Sequence, residues 1–368
     1  MARNRVIYQS EALYVSEDAS SSVASKHEQL EKVQSANLSY TINRQDINQF
    51  GELARIDSVI MDPPTVSTDF SYYLADGFNE RALGFYVQTG SGGEGGVNSD
   101  AGQFASGHMI SSSGKNVYLV TGPEGQDMVG RSIADSTDTA IGVGNCYVSD
   151  YTVDLAVGSI PTVSVSLEGA NVRGDTTAGC IALPSVDQED GSAVERSTTL
   201  DVPVTGRSDV NALRPGDITF SLGSFQDETL FDLTGVSGIH IQSASINIPL
   251  SRTPLQRLGS RFPYAREVDF PVNVTMNISA LVNEADDFQL ATQLTQAQNN
   301  ASITIKNKAG NNAVIYTLKG AKVDSESVSS SIGSNKTVDI TMSAQIGGTN
   351  DTSAGLFMSG KNGDEVFA

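Results

Sequence analysis

The chain has 368 residues, a formal charge of −20, two cysteines and no tryptophan. Two cysteines exclude a disulfide framework. No stretch reaches the roughly 18 consecutive apolar residues of a membrane span, and acidic charge spread along the chain argues against a grip on nucleic acid or an anionic membrane. At about 150 residues per domain the length predicts two to three domains. Abundant Ser, Thr and Gly beside alternating Val and Ile predict an all-β protein rich in loops.

The segment from Met1 to Tyr8 lacks the apolar core of a signal peptide, which predicts synthesis in a cytoplasm without secretion. The first clear strand signal follows Val33, where Leu38, Tyr40 and Ile42 alternate with Ser39, Thr41 and Asn43. A second run covers Val66 to Leu74. Asp76 then opens a short helix-like segment to Leu83, with Glu80 in its first turn. Gln88 to Lys115 contains Gly90-Ser91-Gly92-Gly93-Glu94-Gly95-Gly96 and Ser111-Ser112-Ser113-Gly114, a long excursion expected to be functional or disordered. Val163, Val165 and Leu167 alternate near the end of the first half. Pro184 to Arg214-Pro215-Gly216 reads as a link, most exposed at Asp187 to Gly191.

Beyond the link, Ile246, Ile248 and Leu250 alternate, and Pro249 predicts an edge strand or a strand end, because proline cannot donate to a ladder. Val274, Met276, Ile278, Ala280 and Val282 follow. Asn283 to Gln298 predicts a helix with acids in its first turn, and Val338, Ile340 and Met342 form the last alternating run.

These elements repeat. Val33 to Arg44, ending at Phe50-Gly51, returns as Ile241 to Arg252, ending at Leu258-Gly259, at an offset of 241 − 33 = 208. Val157 to Val163 matches Ile332 to Val338 at 175, and Asp175 to Gly179 matches Asp351 to Gly355 at 176. The fall from 208 to 176 places about 32 extra residues in the first copy, assigned to Gln88–Lys115. The predicted organisation is a first domain over 1–185, with an N-terminal segment and an inserted loop at about 88–115, a linker over 186–215, and a second domain over 216–368. Each copy is mainly β, a sandwich or barrel with one flanking helix.

No residue set stands out as catalytic, cofactor-binding or metal-binding. The Gly90–Gly96 run lacks the strand, helix and Lys-Ser/Thr of a phosphate cradle. His27, His108 and His240 have no ligand-like spacing and read as exposed or incidental. Cys146 and Cys180 fall opposite Ala321 and Leu356 of the second copy and read as small apolar residues. Asp286-Asp287 and Glu17-Asp18 do not follow a calcium-loop pattern. Asn273 and Asn277 form glycosylation sequons inside an alternating strand. The expectation is a protein that is not an enzyme.

Arg44-Gln45-Asp46-Ile47-Asn48-Gln49-Phe50-Gly51, Ala54 to Val59, Pro63-Pro64-Thr65-Val66 and Phe70 to Gly77 resemble the tail tube proteins of long-tailed bacteriophages, above all members with a doubled tube domain. The resemblance is best over about residues 33 to 85, and the repeat extends it to the second copy. It implies a structural virion protein of the tail, whose inner strands join between neighbours into a barrel around a channel. A doubled chain would form homotrimeric, pseudo-hexameric rings stacked into a tube. The partners implied are other copies of the chain, the tape measure, baseplate or tail tip and tail terminator proteins, and a sheath if the tail is contractile. DNA would pass through the lumen during ejection without specific binding. A trimer would carry 3 × (−20) = −60 formal charges, against a DNA charge about every 1.7 Å of axis. Acidic and neutral polar residues are therefore expected on the channel wall, and the 88–115 loop is expected to project and touch a neighbouring subunit or ring. The alternative is a β-sandwich adhesin or capsid-decoration protein binding a surface ligand.

Overall fold

A computed structural model describes residues 10–17, 27–88, 103–110, 114–123, 125–128, 138–175, 181–187, 197–198, 213–221, 239–259, 261–282, 298–307, 310, 312–332 and 335–360. The chain is mainly β. Its first half comprises β1 (Glu11–Glu17), β2 (Glu28–Gln29), β3 (Val33–Thr41), the hairpin β4 (Arg44–Ile47) and β5 (Asp57–Ile60), and β6 (Thr65–Tyr73). Helices α1 (Phe78–Ala82) and α2 (Ser106–Ile110) come next, then β7 (Lys115–Thr121), β8 (Thr139–Ala156), β9 (Thr162–Gly169) and β10 (Asn171–Asp175). A short pair, β11 (Ile181–Ala182) and β12 (Ser197–Thr198), lies between the halves. The second half holds β13 (Ile218–Ser221), β14 (Ile239–Pro249), the hairpin β15 (Arg252–Leu255) and β16 (Ala265–Val268), β17 (Asn273–Val282), β18 (Asn299–Lys306), β19 (Asn312–Ser329), β20 (Thr337–Gln345) and β21 (Gly355–Gly360).

One antiparallel sheet runs through both halves in the order β3–β6–β9–β8–β14–β17–β20–β19. A second layer in the first half is β2–β1–β7–β8–β10, and in the second half β13–β18–β19–β21. The strands β8 and β19, each of 18 residues, belong to both layers of their half. Where each leaves one layer for the other it holds a left-handed residue, Asn145 (φ 51°) in β8 and Gly320 (φ 67°) in β19. Asn and Gly are the residue types that tolerate that conformation.

The pairing scheme of the first half recurs in the second, residue for residue. Ser35 faces Ser71 as Ser243 faces Ser279, both shifted by 208. Val66 faces Gly169 as Val274 faces Ala344, shifted by 208 and 175. The ladder slips between Val33 and Ser35, and again between Ile241 and Ser243; it slips between Val148 and Asp150, and again between Val323 and Ser325. Alternation sets the register, because a one-residue slip would turn every buried side chain outward.

Three expectations are corrected by this registration. Asp175 pairs with Ala140 at the position where Ser359 pairs with Ile315. The counterpart of β10 is therefore β21, and the apparent match of Asp175 to Asp351 is local resemblance only. The same correction moves Leu356, whose counterpart is Val172 and not Cys180. The extra residues of the first half are also divided. Val117 corresponds to Ala301 at offset 184, so 208 − 184 = 24 fall before β7 and 184 − 175 = 9 between β7 and β8.

Among the described residues the core is one large apolar cluster that spans both halves, with a smaller one of Ala12, Tyr14, Tyr118, Val120, Met128 and Ala140 beside it. Leu13, Val15, Val117 and Val143 of the second layer meet Phe70, Val163, Val165 and Leu167 of the long sheet, and Ile246, Met276, Ile303 and Ile340 do the same in the second half. Burying a side chain of this size contributes roughly 1.5–3 kcal/mol. Pro249 closes β14, which has strands on both sides, so its place is a strand end and not an edge. All of the predicted helix over Asn283–Gln298 except Gln298, and most of the predicted linker at 186–215, lie outside the described residues.

Candidate assembly interface

The junction between the halves is a strand pair: β8 meets β14 with Val153 opposite Ile246 and Thr152 opposite Asn247. Both outer strands of the long sheet lack such a neighbour. Among the described residues β3 pairs only with β6, and the Ser325–Ser329 end of β19 pairs only with β20. By the register above, β3 is the counterpart of β14 and this end of β19 the counterpart of the paired end of β8. The molecule therefore presents both halves of its own internal junction at its two open edges. Apolar side chains that the internal junction buries are exposed there: Tyr40 on β3 and Val328 on β19.

Each hairpin directly follows a corresponding strand, β4–β5 after β3 and β15–β16 after β14. At the internal junction β15–β16 is clamped onto the first half by two buried arginines. Arg252 donates through Nη2 to the His108 carbonyl (2.8 Å) and through Nη1 to the Arg266 carbonyl (3.0 Å), and its guanidinium lies 4.7 Å from the centre of the Tyr147 ring. Arg266 pairs with Glu168 (3.0 Å) and donates to the Gly169 carbonyl (3.3 Å). The hairpin β4–β5 is exposed along its length. Its counterpart of Arg266 is Ser58, flanked by exposed Ile56, Val59, Ile60 and Met61. This hairpin keeps Arg44 as the counterpart of Arg252, but has Ser58 beside an apolar flank in place of Arg266.

The face of the long sheet turned away from the core is polar. Ser35 and Ser71 share a hydrogen bond of 2.7 Å, as do Ser39 and Ser67. Asn247 donates to Asp150 (2.9 Å) and Thr152 (2.8 Å), and Thr341 donates to Asn277 (2.9 Å). The register puts Asp69, Asp150, Asp154, Glu168 and Asp339 on this face, with Lys322 at the hairpin end. A shallow concavity of about 380 Å³ crosses the internal junction there, between Asp154 and Asp339.

Behind the junction lies a buried polar knot that joins the halves. Glu80, on α1, accepts from the hydroxyls of Tyr72 (2.8 Å) and Tyr151 (3.2 Å), and the Tyr151 hydroxyl is 2.8 Å from that of Tyr316 in the second half. Burial lifts the Glu80 carboxyl to about 7, against the partial relief of these hydrogen bonds. Phe85 stacks on Phe104 at 4.2 Å, and both present edges or faces to Tyr151.

Phe104 belongs to the excursion expected to project toward a neighbour. Its described part instead folds inward, against the second half of the same chain. The Phe104 amide donates to the Leu356 carbonyl (2.9 Å), the Gln103 amide group to the carbonyls of Gly348 (3.2 Å) and Asp351 (3.1 Å), and the Gln88 amide to the Met358 carbonyl (3.0 Å). Aromatic Phe104 and small Ala105 in an otherwise Gly/Ser-rich stretch were the available signal for an anchor. Residues 89–102 and 111–113, including Gly90–Gly96, lie outside the described residues.

The other singled-out residues scatter. His27 and His108 are buried, contrary to expectation, whereas His240 is exposed. His108 packs its ring 4.4 Å from Phe85, and burial with Arg252 and Lys115 nearby pulls it down to about 3, so it is neutral. Cys146 is buried and directs its Sγ at the Val143 carbonyl (3.4 Å), and its counterpart Ala321 is buried too. Cys180, Asp18 and Asp286-Asp287 lie outside the described residues. Asn277, a sequon residue, is engaged on the polar face by Thr341 and Ser245. Among the described residues no three His, Cys, Asp or Glu side chains converge as a metal site, and no helix is long and apolar enough to cross a membrane. Neither the clamp nor the tyrosine knot was legible as a site in the sequence, since each joins residues more than 60 positions apart. Compared with known protein families and with curated proteins, the chain matches no family model and no curated sequence.

Proposed function

We propose that this chain is a tail tube subunit of a virion: two copies of one tube domain that close head to tail, as trimers, into rings around a DNA conduit. The observation that carries the reading is the pair of open edges that reproduce the internal junction. A free strand edge invites another strand, and closing the sheet on itself removes both edges. Transferring the β8–β14 register predicts the seam. Ile246 and Val153 give Leu38 opposite Val328, and Asn247 and Thr152 give Ser39 opposite Ser327 of the next chain. The apolar flank of β4–β5 would then lie over the neighbour's Lys322, Ser343 and Ala344, the counterparts of Tyr147, Glu168 and Gly169.

With eight long-sheet strands per chain, three chains give 3 × 8 = 24 strands. The polar face carries five acids, one of them, Glu168, paired with Arg266, and the rest support a wall that repels phosphate, so that a genome slides along it without releasing counterions. Engineering Ser39→Cys together with Ser327→Cys tests the seam, because directly opposed cysteines on antiparallel strands can bridge. Under oxidation we expect chains linked in closed threes, and hollow tubes by electron microscopy of the purified protein. Monodisperse, unlinked monomers would sink the reading.

A further inference from the structure

The repeat covers a site in the second half that it leaves bare in the first. Tyr316 of β19 is fully buried, and residues of the first half cover it. Its hydroxyl lies 2.8 Å from that of Tyr151, and its ring centre 6.4 Å from that of Phe104. Glu80, on α1, completes the cover through Tyr151. The counterpart of Tyr316 is Ile141, because Ile303 faces Tyr316 as Leu119 faces Ile141. Ile141 is 42% exposed. With Leu38 and Leu119, both half-buried, it forms the mouth of a shallow apolar cleft floored by buried Leu13, Val117 and Val143. The corresponding Ile246 and Ile303 are fully buried. The cleft opens on β3, the edge strand of the proposed seam.

The second half carries a segment placed to cover such a cleft on another copy. Helix α1 follows β6 and reaches the junction strand β8, where Glu80 meets Tyr151 (3.2 Å). Asn283–Gln298 follows β17, the counterpart of β6, and the counterpart of Tyr151 is Glu326, on the open end of β19. At the unbroken offset of 208, Asp76 matches Glu284, Asn79 matches Asp287, and Ala82-Leu83 matches Leu290-Ala291. The sharpest change in chemistry is Glu80 to Phe288, 288 − 80 = 208. The opposing surface changes with it, from Tyr316 to Ile141. A carboxyl beside tyrosine hydroxyls at the internal junction thus becomes an aromatic ring beside an aliphatic side chain at the outer one. Ala285, Phe288, Ala291 and Leu294 extend the apolar stripe along the helix that the sequence predicts there. The β8–β14 register sets Glu326 opposite Tyr40 of the next chain, as Tyr151 faces Ile248, so this carboxylate meets a hydroxyl donor.

Resting on the ring reading above, we propose that the cleft at Leu38, Leu119 and Ile141 is a socket for Asn283–Gln298 of the neighbouring copy, with Phe288 seated on Ile141. The polar site inside the chain takes a polar cover from its own first half. The apolar cleft takes an apolar cover from the second half of another chain, and burying both surfaces together removes them from water.

The test puts a photoreactive benzoylphenylalanine in place of Phe288 in the full chain carrying Ser39→Cys and Ser327→Cys. After oxidation and illumination, we expect chains joined by the disulfide to be joined a second time through position 288. Mass spectrometry should map that attachment to Leu38, Leu119 or Ile141. Attachment within one chain only, in rings whose Ser39–Ser327 link has formed, would overturn the proposal and leave the ring standing. Absence of that link would overturn the ring reading and the proposal with it. A second measurement needs no label. Ile141→Asp alters a side chain already open to solvent, so the free chain should keep its fold by circular dichroism. It should raise the concentration at which trimers form by roughly ten- to a hundredfold, and trimers forming at the parent's concentration would also overturn the proposal.

Discussion

Glu80 is the residue whose chemistry and position pull hardest against each other. Its carboxyl is fully buried among the hydroxyls of Tyr72 and Tyr151, and its proton is held up to about 7, against an ordinary value of 4.5. Between those two values the folded chain binds a proton that the unfolded chain has released. Stability attributable to this group is therefore complete below about pH 4.5, falls as pH rises toward 7, and is flat above, a loss of about 3 kcal/mol. Glu80→Gln, which keeps an acceptor for the tyrosines but carries no charge, should be more stable than the parent at pH 8 and nearly equal to it at pH 4.5. Urea unfolding at both values checks this, and a parallel shift at both would contradict it. Gly77 is a second sensitive position. It precedes α1 at φ 90°, and an added Cβ would approach Val87 Cγ1 to 2.9 Å. Gly77→Ala should cost about 1–3 kcal/mol in unfolding free energy, whereas Gly51→Ala, equally left-handed but in open space, should cost about 1 kcal/mol.

At the scale of elements, the strands were legible and the anchors were not. Alternation in Leu38–Ile42, Ile246–Leu250 and Val338–Met342 marks half-buried strands because side chains point to opposite faces with period two, a rule that needs no partner to be known. The short helix at Phe78–Ala82 was legible from Asp76, which accepts from the Phe78 amide (3.2 Å). What could not be seen was the use of those strands. The sequence offset of 176 at Asp175 pointed to the wrong counterpart, because five matched residues outweighed a register that only the ladder fixes. The excursion before β7 read as a projection from its glycines, yet Gln103 and Phe104 tie it to residues some 245 positions away. Gln103→Ala removes two side-chain hydrogen bonds to carbonyls and should destabilise by about 1–3 kcal/mol, since the Gln103 side chain that makes them is buried. Arg266→Ala strips the clamp from Glu168 and Gly169 and should cost about 2–4 kcal/mol. Amide exchange should quicken first in Thr253–Leu255, and uniform quickening through the sheet would mean that the clamp is not local.

For the whole molecule, the long strands β8 and β19 have a consequence for load. Each begins in the second layer, turns at Asn145 or Gly320, and ends in the long sheet. In an ordinary sandwich the two layers adhere only through side-chain packing, which peels apart a few contacts at a time. Here the backbone itself passes from one layer to the other, twice per chain, and the hydroxyls of Tyr151 and Tyr316, one from each crossing strand, meet midway. Load that pulls the layers apart would act along covalent bonds and shear whole ladders of hydrogen bonds at once, so the two layers would resist separation far better than side-chain packing alone allows.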